Sequence, residues 1–160
     1  MDISGFLQLN AGDWLALRSS LSPELGTSVV EPPHLQDGTR ADRTQPWHNS
    51  DRAELHIALL TPISDNDWGG LEMKCSDQPS VRLIFHRVGT VNVDSFQGRW
   101  HLGEDGSLEL TMEENIRTLK ERIWFRKPNL RLRSTLEIFA DGRPGRASFC
   151  SEIRRVRHAT

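Results

Sequence analysis

Polar and apolar residues alternate along most of this chain, and alternation at period two predicts strands that bury one face. The clearest run is NLRLRSTLEIFA. Leu130, Leu132, Leu136 and Ile138 fall on one face with Ser134 among them, while Arg131, Arg133, Thr135 and Glu137 fall on the other. Further strand segments are WLALRSSL, AELHIALL, WGGLEMKC, VRLIFHRV, SFQGRWHL, GSLELTME, ERIWFR and ASFCSEIRRV, separated by the turn-forming groups SDND, SDQP, GEDG, KPN and DGRPG. Helical signals are sparse. Asp2-Ile3-Ser4 followed by Phe6, Leu7 and Leu9 predicts a short N-terminal helix, capped by Asp2 or Ser4 and ended between Asn10 and Gly12. EENIRTLKER has room for a helical turn or two before TLKERIWF resumes strand composition. Short strands joined by tight turns, about eight to ten of them, point to an all-β domain, either a closed antiparallel barrel or a sandwich. The segment 22–50 holds four prolines and weak periodicity, and reads as a mobile loop or a frayed hairpin.

The charged face of the Arg131 strand admits two arrangements. It can be the wet side of a sheet, where Glu/Arg ladders contribute only a few tenths of a kcal/mol. Alternatively it lines the interior of a barrel and holds a charged organic ligand.

Composition narrows the rest. A length of 160 residues suits one domain over 1–160 with a sizeable core. Net charge is -2, with RRVRHAT basic and GEDGSLELTMEEN acidic, which is no nucleic-acid footprint. Cys75 and Cys150 make no disulfide framework and read as inert thiols. The six histidines show no HxxxH or HxH spacing, so no metal site is expected. No window approaches the ~18 apolar residues of a membrane span, and MDISGFLQLNAGDW lacks the features of a secretory signal. A soluble cytosolic protein is expected.

Two stretches carry resemblances. GDW at residues 12–14, after a short helix and opening a strand, resembles the Gly-x-Trp signature of lipocalin-type barrels. In those barrels the tryptophan closes the bottom and an arginine of the last strand packs on its ring. Arg154 or Arg155 is placed to do so here. ERIWFRKPNLRLRST, with GDWLALRSS, QGRWHLGEDGSLEL and SFCSEIRRV, resembles the S-type phycobiliprotein lyases. These are lipocalin-like proteins of cyanobacteria and algae that attach linear tetrapyrroles (bilins) to apo-phycobiliproteins. The resemblance covers the two ends and the last third, about half of the chain, and leaves residues 22–94 poorly matched.

That resemblance implies a lipocalin- or fatty-acid-binding-protein-like closed barrel with a short N-terminal helix, acting as a bilin lyase. Its substrate would be phycocyanobilin or phycoerythrobilin, with no permanently bound cofactor. Its client would be an α or β subunit of an apo-phycobiliprotein, whose cysteine accepts the pigment. It would work as a homodimer or a heterodimer with a related lyase, in cyanobacterial cytosol or plastid stroma. The alternative is a non-catalytic bilin carrier, or a partner subunit of a lyase, built on the same barrel. The chemistry fits the residues. Two propionates need arginines, a protonated pyrrole needs a carboxylate, and the conjugated body needs apolar walls. By the resemblance, Glu121, Arg131 and Glu152 fall at pocket positions. Glu121 and Glu152 are the expected catalytic carboxylates, and Arg18, Arg131 and Arg133 the expected propionate anchors. Trp124 and Asn129 belong to the same motif; Asn129 also suits the turn after Pro128. Trp124 and Phe125 point to opposite faces, one core and one pocket wall. As a pocket residue, Arg131 is expected to add little to stability.

Overall fold

The computed structural model describes residues 1–23, 48–76 and 78–156. Among these residues a single helix, α1 (Ile3–Asn10), precedes ten strands: β1 (Gly12–Leu21), β2 (His48–Leu60), β3 (Asp67–Cys75), β4 (Val81–His86), β5 (Thr90–Val93), β6 (Phe96–Leu102), β7 (Leu108–Glu113), β8 (Arg117–Lys127), β9 (Leu130–Phe139) and β10 (Pro144–Arg154). They close in the order β1-β10-β9-β8-β7-β6-β5-β4-β3-β2, each pair antiparallel. Closure leaves no sheet edge unpaired. Of the two all-β architectures open to the pattern, the barrel is the one adopted.

Helix α1 begins where the Asp2 side chain accepts the Gly5 N–H at 2.8 Å. Of the two caps considered, Asp2 serves. Ile3, Phe6, Leu7 and Asn10 recur at helical spacing and are the buried residues. They rest the helix against β2 and β3 and bring Phe6 edge-on to Phe125, ring centres 5.5 Å apart. This stoppers one end of the barrel. The core gathers there and along β2–β7, with Trp14, Ile57, Phe85, Val91 and Leu108 almost fully buried.

Ten strands fall within the eight to ten expected, and two other expectations are corrected. The helical turn allowed in EENIRTLKER does not form: Arg117 already opens β8 and pairs with Phe139. A tenth strand, β5, was hidden because TVNV is only four residues long, too short to show a period. The loop expected over 22–50 ends early, since His48–Ser50 are strand opposite Leu21, Ser20 and Ser19; residues 24–47 lie outside the described residues.

Register decides which face is inside, because cross-strand partners share a face. Trp14, Ala16 and Arg18 of β1 oppose Arg154, Glu152 and Cys150 of β10. Glu152 and Cys150 oppose Arg131 and Arg133 of β9, which oppose Phe125 and Ile123 of β8. The burial of Trp14, Glu152, Arg131 and Ile123 marks this face as the lumen. The charged face of the Arg131 strand therefore points inward and its leucines outward.

Candidate functional site

The lumen can be followed from the stoppered end upward. At its floor lies Trp14, 1% exposed, its indole N–H donating to the Asn10 carbonyl at 2.9 Å. Two guanidiniums lie over its ring, Arg154 at 4.3 Å and Arg131 at 5.0 Å, a doubled cation–π contact. Arg154, rather than Arg155, thus fills the packing role, and it also donates to the carbonyls of Leu9 and Ala11 at the end of α1. Arg155 pairs with Glu54 instead. Gly12 has φ +135, and a Cβ there would meet the Arg154 Nη1 at 2.7 Å. The glycine of GDW is required both for its backbone conformation and for the room it leaves the arginine.

Above the tryptophan stands an ion network. Arg131, 1% exposed, donates to Glu152 Oε2 at 2.5 Å and to the Asn10 side-chain oxygen. Glu152, fully buried, also accepts from Arg133 at 3.0 Å. Arg133 continues to Glu121 at 3.8 Å, and the Thr135 hydroxyl lies 3.5 Å from Glu121. Charges inside a barrel are costly unless paired, and pairing is close to complete: Arg131 Nη2 is a buried nitrogen with no hydrogen-bond partner. Burial pushes Glu152 upward, but Arg133 and Arg131 outweigh it and hold the carboxyl below its ordinary range. Burial draws Arg131 downward, opposed by Glu152. For Arg133 burial acts downward too, but Glu121 and Glu152 prevail and raise it. Cys150 donates to Glu152 at 3.7 Å, and burial together with Glu152 raises its thiol, which is neutral near pH 7.

Toward the other end, Arg18 shares the lumen face between Cys150 and Asp51. Beyond it a cavity of about 320 Å³ is lined by Arg117, Leu119, Thr135, Glu137, Arg146 and Ser148, with Arg117 bridged to Glu137 at 2.6 Å. This is the small end of the size range for ligand pockets, about 300–1,000 Å³, and it sits directly above Glu121 on the lumen face.

Five of the seven residues singled out in the sequence, Arg18, Glu121, Arg131, Arg133 and Glu152, thus line one lumen. Trp124 does not. It pairs with Leu132 on the outer face and packs on Phe149, ring centres 6.1 Å apart, with Arg122 over its ring. Trp124, expected among the ligand-binding residues of the motif, therefore lies with the leucines outside the lumen; Phe125 is the inward member of that pair, against Phe6 and Trp14. Asn129 is exposed in the β8–β9 turn, where its carbonyl accepts the Arg154 N–H at 3.0 Å. Its position is that of a turn residue. Arg131 departs from the expectation of a pocket side chain with little part in the core, since its charge is buried and shared among Glu152, Asn10 and Trp14. The sequence reading missed Asn10 and Cys150. Cys150 was legible, lying two residues before Glu152 on the same strand face. Asn10 was not, because the helix and β9 are brought together only by the fold. Among the described residues no cluster of His, Cys, Asp and Glu could hold a metal ion.

A closed ten-stranded antiparallel barrel, stoppered by an N-terminal helix and carrying buried charge in its lumen, is a lipocalin-like barrel. Comparison with known proteins gives the family. The model described as CpeS-like protein matches residues 74–155. "Chromophore lyase CpcS/CpeS 1" of Paulinella chromatophora is 35% identical over 98% of this chain and 89% of its own length. "Phycocyanobilin lyase subunit CpcS" of Picosynechococcus is 35% identical over 69% of this chain and half of its own. The structure of the S-type phycobiliprotein lyase CPES from Guillardia theta superposes with a TM-score of 0.68 over 99% of this chain and 95% of that one, at 18% identity. The chain belongs to the CpcS/CpeS chromophore lyase family. The alignment with the Paulinella relative extends past the two ends and last third to 98% of the chain, the region 22–94 included.

Proposed function

We propose that this barrel takes up a linear tetrapyrrole, phycocyanobilin or phycoerythrobilin, and promotes its thioether attachment to a cysteine of an apo-phycobiliprotein α or β subunit, in cyanobacterial cytosol or plastid stroma. Family membership supports the reaction class. The observation that carries the site is the chain of alternating charges beneath the mouth cavity: Glu121, Arg133, Glu152, Arg131. In the reaction the client sulfur bonds the exocyclic carbon of the A-ring ethylidene, the double bond is consumed, and the thiol proton passes to the tetrapyrrole. No oxidant is needed. A carboxylate beside the pyrrole nitrogens favours the cationic pigment, whose ethylidene is the better electrophile.

The two carboxylates divide this work unequally. Glu121 retains 25% side-chain exposure and holds Arg133 at 3.8 Å, a loose contact that a pyrrole N–H can replace. Glu152 is fully buried and committed to two arginines, so it acts as a positioning residue for Arg133. Arg133, Arg18 and the mouth arginines Arg117 and Arg146 are the groups available to the propionates. Arg131 lies deeper, and its buried Nη2 has no hydrogen-bond partner.

The test mixes purified protein, phycocyanobilin and an apo-phycobiliprotein subunit, then scores covalent product by zinc fluorescence in a denaturing gel. Parent protein gives a red-shifted, sharpened bilin spectrum and labelled subunit. Glu121→Gln keeps the bound pigment, shifts its absorbance to the blue and lowers transfer tenfold or more. Binding without transfer by the parent protein would establish the carrier function instead.

A further inference from the structure

The outward side of β1, β10, β9 and β8 is apolar where a barrel wall in water is ordinarily polar. Leu17, Leu21, Leu136, Phe149 and Ile153 are each between 41% and 51% exposed, and Trp124 joins them through Phe149. Register makes them neighbours: Leu17 lies opposite Ser151, which lies opposite Leu132 and then Trp124, while Leu21, Ala147 and Leu136 form a second row. Four strands across and six residues along give a patch of roughly 300 Å², the size at which surface patches are often functional. None of the lumen chemistry uses it.

Its border is cationic. Arg52 stands opposite Leu17, Lys120 opposite Leu136 and Lys127 opposite Leu130. All three are exposed, and among the described residues none makes an ion pair. The carboxylates nearby are already answered by arginines: Glu54 by Arg155, Asp105 by Arg122, and Glu109 opposite the same Arg122. A second copy of this chain brought face to face would set these unpaired cations against their own kind, which costs affinity. A protein surface with apolar side chains ringed by carboxylates meets no such penalty.

We infer that this face docks the acceptor protein through an acidic-rimmed apolar surface, an inference that rests on the lyase reading. The patch is small beside stable interfaces, which bury about 800 Å² per partner, and so suits a client that must leave after each transfer. Because it runs from the stoppered end (Ile153) to the mouth end (Leu21), a docked client reaches the barrel mouth without covering it.

The experiment measures steady-state transfer of phycocyanobilin to an apo-phycobiliprotein subunit, together with direct binding of that subunit by interferometry. Phe149→Glu and Ile153→Glu are expected to raise the KM for the subunit tenfold or more, with kcat at saturation and the bound-bilin spectrum unchanged. Lys120→Glu raises it too and flattens its dependence on salt. Unchanged KM in both Phe149→Glu and Ile153→Glu overturns the inference. So does light scattering that shows a dimeric parent and a monomeric Phe149→Glu, which assigns the face to a second copy. Should the parent bind the subunit yet transfer nothing, the lyase reading falls by itself. Direct binding then decides: loss in Phe149→Glu upholds the docking face, and retention overturns it.

Discussion

Removing the Arg131 side chain leaves Glu152 buried with one arginine in place of two, and leaves the Asn10 side-chain oxygen without its donor. Breaking a buried ion pair from one side costs about 3–5 kcal/mol, far more than an exposed pair. Arg131→Leu should therefore lower the unfolding free energy by an amount in that range, seen as a lower urea midpoint with the m-value unchanged. A loss below about 1 kcal/mol would mean that the network contributes nothing to the fold. Arg131→Lys should recover part of the loss, since it restores the charge but not the fork that reaches Glu152, Asn10 and the Trp14 ring together. Arg99 offers the contrast. It binds Glu113 at 2.7 Å with both side chains more than half exposed, and its removal should be nearly silent.

At the scale of elements, α1 is the weak member. Eight residues are too few for a helix to persist alone, so it is held by its cap, its buried face and the bonds from Arg131 and Arg154. Asp2→Ala should cost about 1 kcal/mol through the lost cap. Hydrogen exchange should show the α1 amides opening well before those of β9 and β10. Exchange from α1 as slow as from those strands would show that the helix is no separate unit. These elements also show what the sequence could convey. Strands of ten or so residues with an unbroken period, such as β9 with NLRLRSTLEIFA, were legible, as was Asp2 ahead of an apolar helical face. Period two separates the two sides of a strand but does not say which is inside. The facing of Trp124 and Phe125 therefore became visible only through register with Leu132 and Arg131. The chain of four charges was legible as residue types on alternating positions. Its depth was not, because burial of Arg131 is imposed by α1, some 120 positions away in the chain.

For the whole molecule, the lowered carboxyl of Glu152 links stability to acid. Its folded value lies below the ordinary 4.5, so its contribution is complete above that pH and is lost as pH falls through the folded value. Asp105 and Asp141 act with the same sign, held down chiefly by hydrogen bonds from Ser107 and from Arg143. Thermal midpoints should thus be flat from pH 7 to about 5 and fall steeply below about 4.5. In Glu152→Gln the midpoint should start lower at pH 7 and fall less steeply, the residual slope belonging to the aspartates. Parallel slopes in the two proteins would assign the acid response to the surface alone.

Trp14 gives the barrel an optical consequence. A shielded indole bonded to the Asn10 carbonyl beneath two guanidiniums should resist collisional quenching by acrylamide for as long as α1 stays seated. A variant retaining Trp14 as its sole tryptophan would become quenchable each time the stopper lifts, and its emission lifetime would report how often the floor of the barrel opens.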